Sequence, residues 1–307
     1  MRAITVHNYG GPEQAEVTEA EIPVPGPGEV RVRNRALAVH PADLAVRSGL
    51  MAALLGTPPH RLGWDVAGTV DAVGADVAGF AVGEEVVGLS HWFATRNGTH
   101  AEYAVLPAAQ LAPAPAGVPA TTAAALPLNG LTALQALDLI GLAPGGTLVV
   151  TGAAGNLGHL VTQLAVARGL RVLAVAGPRD AGHLTDLGAE FVPRGDGAVD
   201  AVLALAPGGA DALLDTAGLS TAVLAAVRDG GTFVAVRPPA APAAERGIDV
   251  LVHDVRPDGP ALAGLAGLVA EGRLTVRVDS VLPLDRIAAA HARLEAGGTR
   301  GAVVLSV

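Results

Sequence analysis

The segment Thr151 to Gly158, TGAAGNLG, limits the fold more than any other stretch of this 307-residue chain. It follows an apolar run, Thr147 to Thr151, and opens a helical pattern, Asn156 to Arg168, which makes it the junction of a strand with a crossover helix. Read against G-x-G-x-x-G, Gly155 and Gly158 fill the last two positions, while Ala153 stands at the first with Gly152 just before it. Alone, such a turn joins many strands to helices. The downstream chain narrows the choice: strand Arg171 to Ala176, helix Ala181 to Leu187, strand Ala210 to Asp215, helix Ser220 to Val227 and strand Thr232 to Val236. This alternation predicts a doubly wound parallel sheet, and burial on both faces accounts for the near-continuous Val, Leu and Ala of its strands.

A different rhythm precedes it. From Met1 to about Ala112 the runs Ala3 to His7, Glu29 to Ala38, Val66 to Val73, Glu85 to Leu89 and Ala101 to Val105 are short and bounded by Gly and Pro. They read as a compact, mostly antiparallel β unit. Pro113, Pro115 and Pro119 mark the change, so a second domain is expected from residue 117 to 255. After a run Ile248 to His253, the chain is expected to form a helix Pro260 to Glu271, a strand Leu274 to Asp279, a helix Leu284 to Ala296 and a strand Ala302 to Val307. These would return to the first domain, giving it residues 1–116 and 256–307.

Composition excludes several function classes. Half the residues are hydrophobic and 16% are charged, which suits a globular chain rather than a disordered one. A net charge of -9 with no basic run disfavours nucleic acid as a partner. Apolar stretches such as Leu131 to Leu142 are short of a membrane span, and the N-terminus begins a strand at Arg2 to Val6 without an apolar signal core, so a cytoplasmic protein without membrane contact is expected. There is no cysteine, which excludes disulfides, thiol nucleophiles and thiolate-bound zinc.

A glycine turn opening a helix is where the pyrophosphate of a dinucleotide docks on backbone N–H groups. The choice of dinucleotide depends on the tip of the second strand, where an acidic residue would hold the ribose hydroxyls of NAD. That tip reads Ala174, Val175, Ala176, Gly177, Pro178, Arg179. It offers no carboxylate, and the Arg179 guanidinium suits a 2′-phosphate, which favours NADPH. The alternative is a solvated Arg179 neutralised by Asp180.

Five segments together resemble the zinc-independent quinone oxidoreductase and enoyl reductase branch of the medium-chain dehydrogenase/reductase superfamily. They are LGWDVAGTVDAVGADVAGFAVGEEVVG from Leu62 to Gly88, GTHAEYAVLPA from Gly98 to Ala108, ALPLNGLTALQAL from Ala125 to Leu137, GAAGNLG from Gly152, and TRGAVVLSV from Thr299. The resemblance implies an α/β protein: a GroES-like, mostly β catalytic domain interrupted by a Rossmann domain, with a cleft between them and a homodimer formed along Rossmann sheet edges. It also implies cofactor contacts at Thr132 and at Gly152, Ala153, Ala154, Gly155, Asn156, Leu157 and Gly158. Further contacts are implied at Gly177 and Arg179, at Thr216, and at Val236 with Arg237. Arg194 stands where relatives often place an aromatic ring over the adenine, so the resemblance implies a contact there, for which a guanidinium plane is also suited.

The chain also departs from its relatives. Zinc-dependent members place metal ligands where this sequence has His40, Trp64 and Leu128, so one of three positions retains a ligand type and no catalytic zinc is expected. Within the zinc-free branch an asparagine is common at the position of His40, a tyrosine near Met51 and a lysine at Ala302. The expected activity is metal-free hydride transfer from NADPH to a quinone or α,β-unsaturated carbonyl, a small-molecule substrate that is already electrophilic. His40 is the candidate catalytic side chain, donating a hydrogen bond or a proton to the developing enolate oxygen. Its alternative is to cap the turn and bond Asp43. His91, Trp92 and Phe93 either border the cleft or pack their loop. The rival functions are an enoyl reductase dedicated to one biosynthetic intermediate and an NADPH-binding protein without turnover.

Overall fold

The computed structural model describes all residues, Met1–Val307. Packing divides the chain into two units, Met1–Leu131 with Arg256–Val307, and Thr132–Val255. The first change of unit falls at Leu131 rather than near Gly117, because the opening turn of helix Pro127–Ile140 belongs to the first unit, where Gly130 lies against Leu265. The stretch Ala120–Ile140 is long and apolar enough to cross a membrane by composition, and most of it is buried inside the protein.

The second unit holds a six-stranded parallel sheet. Its order is Glu190–Pro193, Arg171–Ala176, Thr147–Thr151, Ala210–Asp215, Val227–Ala235 and Asp249–Val252, which is 3-2-1-4-5-6 by chain order. This is the doubly wound arrangement, with its reversal between Thr147–Thr151 and Ala210–Asp215. Buried Val149, Leu173, Leu213 and Phe233 of the sheet pack with Val202, Val223 and Leu224 from the covering segments. Each such side chain contributes roughly 1.5 to 3 kcal/mol by leaving water. The strand Glu190–Pro193 and the helix Ala198–Leu205 escape the sequence pattern, as does helix Pro127–Ile140, which begins in the first unit. The helix expected at Ser220 to Val227 is instead a 3-10 run, Ser220–Ala226, because Val227 already pairs with Ala210 in the sheet.

The first unit is mostly antiparallel. A three-stranded sheet runs Ala15–Glu19, Arg2–Val6, His60–Arg61. A larger sheet runs Val278–Pro283, Ala302–Ser306, Glu29–Val39, Asp65–Val73, Glu85–Leu89, Leu111–Pro113, with Tyr103–Pro107 also on Glu29–Val39. The C-terminal strand returns to this unit by pairing antiparallel with Glu29–Val39, Val303 opposite Val39. The strand expected at Leu274 to Asp279 lies later, at Val278–Pro283, and Leu274 is buried ahead of it. Along Glu29–Val39, Val30, Val32, Asn34 and Ala36 are buried while Arg33 and Arg35 are exposed, the period-two signature of a sheet with one wet face.

Candidate active site

At the C-terminal edge of the parallel sheet the strand Thr147–Thr151 gives way to the glycine turn. Gly152 adopts φ +62°, a left-handed conformation that a side chain disfavours. A Cβ on Gly158 would overlap the Gly152 carbonyl and Ala153 Cα, so only glycine lets the helix start this close to the strand. Helix Asn156–Ala167 begins at Gly155, and no side chain caps it. Its first N–H groups therefore suit an anion, and the turn fits a dinucleotide pyrophosphate in both its backbone conformation and its lack of side-chain bulk.

A buried polar knot holds that edge together. Thr151 Oγ1 donates to Asp215 Oδ1 at 2.6 Å and accepts from the Ala217 N–H at 3.1 Å. Asp215 also accepts from the Gly218 and Ser220 N–H groups, each at 2.9 Å, and Thr216 Oγ1 donates to the Thr151 carbonyl at 2.5 Å. The two strands flanking the switch point are thus tied at their tips. Sequence reasoning passes over Asp215, although it closes the DALLD run just before Thr216.

The structure gathers the expected cofactor residues of the second unit at this one edge. Gly152 to Gly158, Gly177, Thr216 and the pair Val236 and Arg237 each follow the end of a parallel strand. Arg179 is exposed in the short turn Pro178–Asp180 and makes no ion pair, so Asp180, itself buried, does not neutralise it. The Arg194 guanidinium approaches the open side of Gly177, its Cζ 3.9 Å from where a Cβ would stand. Arg237 donates to the Ala217 carbonyl and lies over Gly218. Thr132 is buried in helix Pro127–Ile140.

His40 belongs to the first unit. Strand Glu29–Val39 stops where Pro41 lacks an N–H, and Pro41 then opens helix Pro41–Ser48. The His40 N–H donates to Asp43 Oδ2 at 2.8 Å, and Asp43 Oδ1 accepts from the Gly63 N–H at 3.0 Å. The turn is therefore capped by the backbone of His40, while its ring is engaged elsewhere: Nε2 lies 2.5 Å from Asp65 Oδ2. Asp65 Oδ1 accepts from the Leu128 N–H at 2.8 Å. An ionised carboxylate only accepts, so Nε2 carries a proton. Burial disfavours the imidazolium, but the charge of Asp65, the hydrogen bond to it and the charge of Asp43 together raise the His40 pKa above 6.5.

A second group of buried polar residues lies beyond Asp43. Arg47 reaches Glu295 with Nη2, while Nε and Nη1 have no partner; His100 Nε2 meets the Ala38 carbonyl at 2.9 Å, and both ring nitrogens of His291 are unpartnered. Nothing in the local sequence joins these residues. No group of three His, Asp or Glu side chains is placed to hold a metal ion, and Trp64 and Leu128 offer no ligand beside His40. Trp92 packs its loop: its Nε1–H donates to the Arg61 carbonyl at 2.8 Å, and its ring centroid is 5.2 Å from that of Trp64. Phe93, half-buried, meets Trp64 edge-on at 4.9 Å.

Residues 26–116 match the alcohol dehydrogenase GroES-like domain, and residues 187–305 match a zinc-binding dehydrogenase domain. A quinone oxidoreductase of Pseudomonas aeruginosa is 32% identical, with 97% of each chain covered. A chloroplast envelope quinone oxidoreductase homolog of Arabidopsis thaliana is 37% identical over 62% of this chain, which spans 60% of that relative's length. A 2-methylene-furan-3-one reductase of Solanum lycopersicum is 30% identical over 99% of this chain and 79% of its own. Among solved structures, the Coxiella burnetii quinone oxidoreductase superposes with a TM-score of 0.89 at 27% identity, covering 100% of this chain and 99% of its own. An NAD-dependent alcohol dehydrogenase gives 0.86 at 36%, and a mycobacterial protein complexed with NADPH gives 0.85 at 28%, each covering 100% of both chains. The chain belongs to the medium-chain dehydrogenase/reductase superfamily, in its zinc-independent quinone oxidoreductase branch. It is an oxidoreductase of a nicotinamide-dependent family acting on small molecules.

Proposed function

We propose that this protein is an NADPH-dependent reductase that delivers hydride to a quinone or an α,β-unsaturated carbonyl without a metal ion, with His40 supplying the proton. The observation that carries the reading is the ring of His40. It stands where zinc-dependent relatives hold metal, yet its Nε2 is engaged by Asp65 and no group of three His, Asp or Glu side chains is placed to hold a metal ion. A carbonyl unaided by a Lewis acid is a poor hydride acceptor, which favours a substrate electrophilic in its own right.

NADPH, when bound, supplies the hydride. The glycine turn and the N-terminus of helix Asn156–Ala167 would hold its pyrophosphate. Arg179, exposed and unpaired at a strand tip without a carboxylate, would take the 2′-phosphate, with Arg194 beside Gly177 stacking on the adenine. Thr132, Thr216, Val236 and Arg237 complete the proposed contacts. His40 Nδ1–H then serves the substrate oxygen as negative charge builds there.

The names of the quinone oxidoreductase relatives and of the furanone reductase support this substrate class, and the NADPH complex of a similar structure supports the cofactor. A cytoplasmic homodimer belongs to this reading, and the dimer is supported by strand Asp249–Val252, an outer strand of the parallel sheet that offers its edge to a second copy. The test is turnover of a panel of quinones and enones with NADPH and NADH, using wild type, Arg179→Ala and His40→Ala. NADPH is expected to bind well ahead of NADH, with Arg179→Ala eroding that preference by roughly 1 to 3 kcal/mol. His40→Ala should lower turnover about a hundredfold while NADPH affinity holds. Equal affinities for the two cofactors in wild type, or full turnover in His40→Ala, would refute the corresponding half of the reading.

A further inference from the structure

His40 is 2% exposed and Asp65 is 0% exposed, so the pair is withdrawn from water. Burial alone would expel the proton from an imidazole. A carboxylate 2.5 Å from Nε2 does the reverse, because a charge-assisted hydrogen bond in a dry site is stronger than in water. Asp65 is also fixed in orientation. Its Oδ1 takes the Leu128 N–H in the first turn of helix Pro127–Ile140, where the helix dipole favours an anion. Rotating the carboxylate away would strand a backbone donor. Asp43, the other carboxylate acting on His40, has both oxygens engaged by backbone N–H groups. Arg47, His100 and His291, the remaining ionisable residues of this region, form a separate group in which Asp43, His100 and Arg47 act on His291.

We propose that Asp65 is a positioning residue for the reduction: it locks the His40 ring with Nε2–H on its own Oδ2, leaves Nδ1–H for the substrate oxygen, and stabilises the buried imidazolium until that proton is given up. The inference rests on the reading that His40 supplies the proton. In the step itself the Nδ1–H bond breaks and an O–H bond forms on the hydride-reduced substrate anion. The bonding pair stays on Nδ1, Asp65 remains ionised on Nε2–H, and the neutral ring is reprotonated from water.

The test compares pH profiles of kcat for wild type, Asp65→Asn, Asp65→Glu and His40→Ala. Wild-type kcat should fall as pH rises through a His40 pKa above 6.5. Asparagine would present Nδ2–H to Nε2 and reverse the tautomer, leaving a neutral ring that is a poor acid. Asp65→Asn should therefore move the fall down by about one pH unit or more and cut kcat at neutral pH about tenfold, with KM for NADPH unchanged. Asp65→Glu should restore the limb in part. Identical limbs in wild type and Asp65→Asn, with turnover lost in His40→Ala, would overturn the role of Asp65 alone; full turnover in His40→Ala would overturn the function reading beneath it. If Asp65→Asn does not fold, an NMR titration of His40 in the wild-type protein decides: a midpoint above 6.5 supports the inference and one below it refutes it.

Discussion

At the edge of the parallel sheet, the turn is shaped by atoms that are missing, the side chains of Gly152, Gly155 and Gly158 and a cap on helix Asn156–Ala167. The surroundings of His40 are shaped by side chains brought in from distant parts of the chain and stripped of water, Asp43, Asp65 and, beyond them, Arg47 and His291. The first arrangement is governed by steric approach and a helix dipole, neither of which titrates. The second is governed by charge in a low dielectric, where every proton counts. The two sites should therefore fail differently, one to volume and the other to pH.

The sharpest break is Gly158→Val. Its added atoms would push into the Gly152 carbonyl and displace the turn from the phosphate. Cofactor affinity should fall about a thousandfold, roughly 4 kcal/mol, in a protein that keeps its circular dichroism. A mild loss would mean that the turn has room the glycines do not need.

Next in size is the acid stability of the first unit. Burial lowers the His291 pKa from 6.5 to about 4; attraction by Asp43 opposes this, and repulsion by His100 and Arg47 adds to it. Between these values the unfolded chain takes up a proton that the folded one refuses, so stability is complete above pH 6.5 and is lost as pH falls toward 4. The loss should approach about 3 kcal/mol in urea titrations across that window, and His291→Leu should flatten it. His40 has the opposite sign: its raised pKa adds stability below 6.5 that disappears as pH climbs through the folded value. An unchanged slope in His291→Leu would show that other groups drive acid unfolding.

A smaller effect is expected from Thr151→Val. The exchange keeps shape but removes the donor to Asp215 and leaves the Ala217 N–H without its acceptor. About 2 kcal/mol of stability should be lost on urea unfolding, and an unchanged stability would show that the knot is not worth its hydrogen bonds.

The same division separates what is legible in the sequence from what is not. Strands Thr147–Thr151, Arg171–Ala176 and Ala210–Asp215 begin and end where the apolar runs and glycines place them, because these signals are local. The strand Glu190–Pro193 and helix Ala198–Leu205 leave no such mark, because each is short and its burial is set by neighbours across the sheet. The switch from helix to 3-10 turn at Ser220–Ala226 likewise depends on Val227 being drawn into the sheet. At His40 the position is legible but its partner is not. Asp65 lies 25 residues away inside a run that reads as strand and turn, and Glu295 lies 248 residues from the arginine it meets. No spacing rule connects such pairs, since only the folded sheet sets their distance.

The smallest expected effect isolates burial from distance. Arg35 Nη1 meets Glu85 Oε1 at 2.7 Å, close to the separation of His40 and Asp65, but these side chains are 60% and 63% exposed. Both stand on the wet face of the larger sheet, where water and salt screen the charges and two long side chains lose freedom to hold one geometry. Glu85→Gln should therefore change stability by no more than about 0.5 kcal/mol, and added salt should remove even that. If distance set the worth of a polar contact, this variant would rival Asp65→Asn in its cost. A loss of about 2 kcal/mol or more on urea unfolding would put the contrast between the two pairs down to geometry, and buried charge would not be the governing feature of the His40 site.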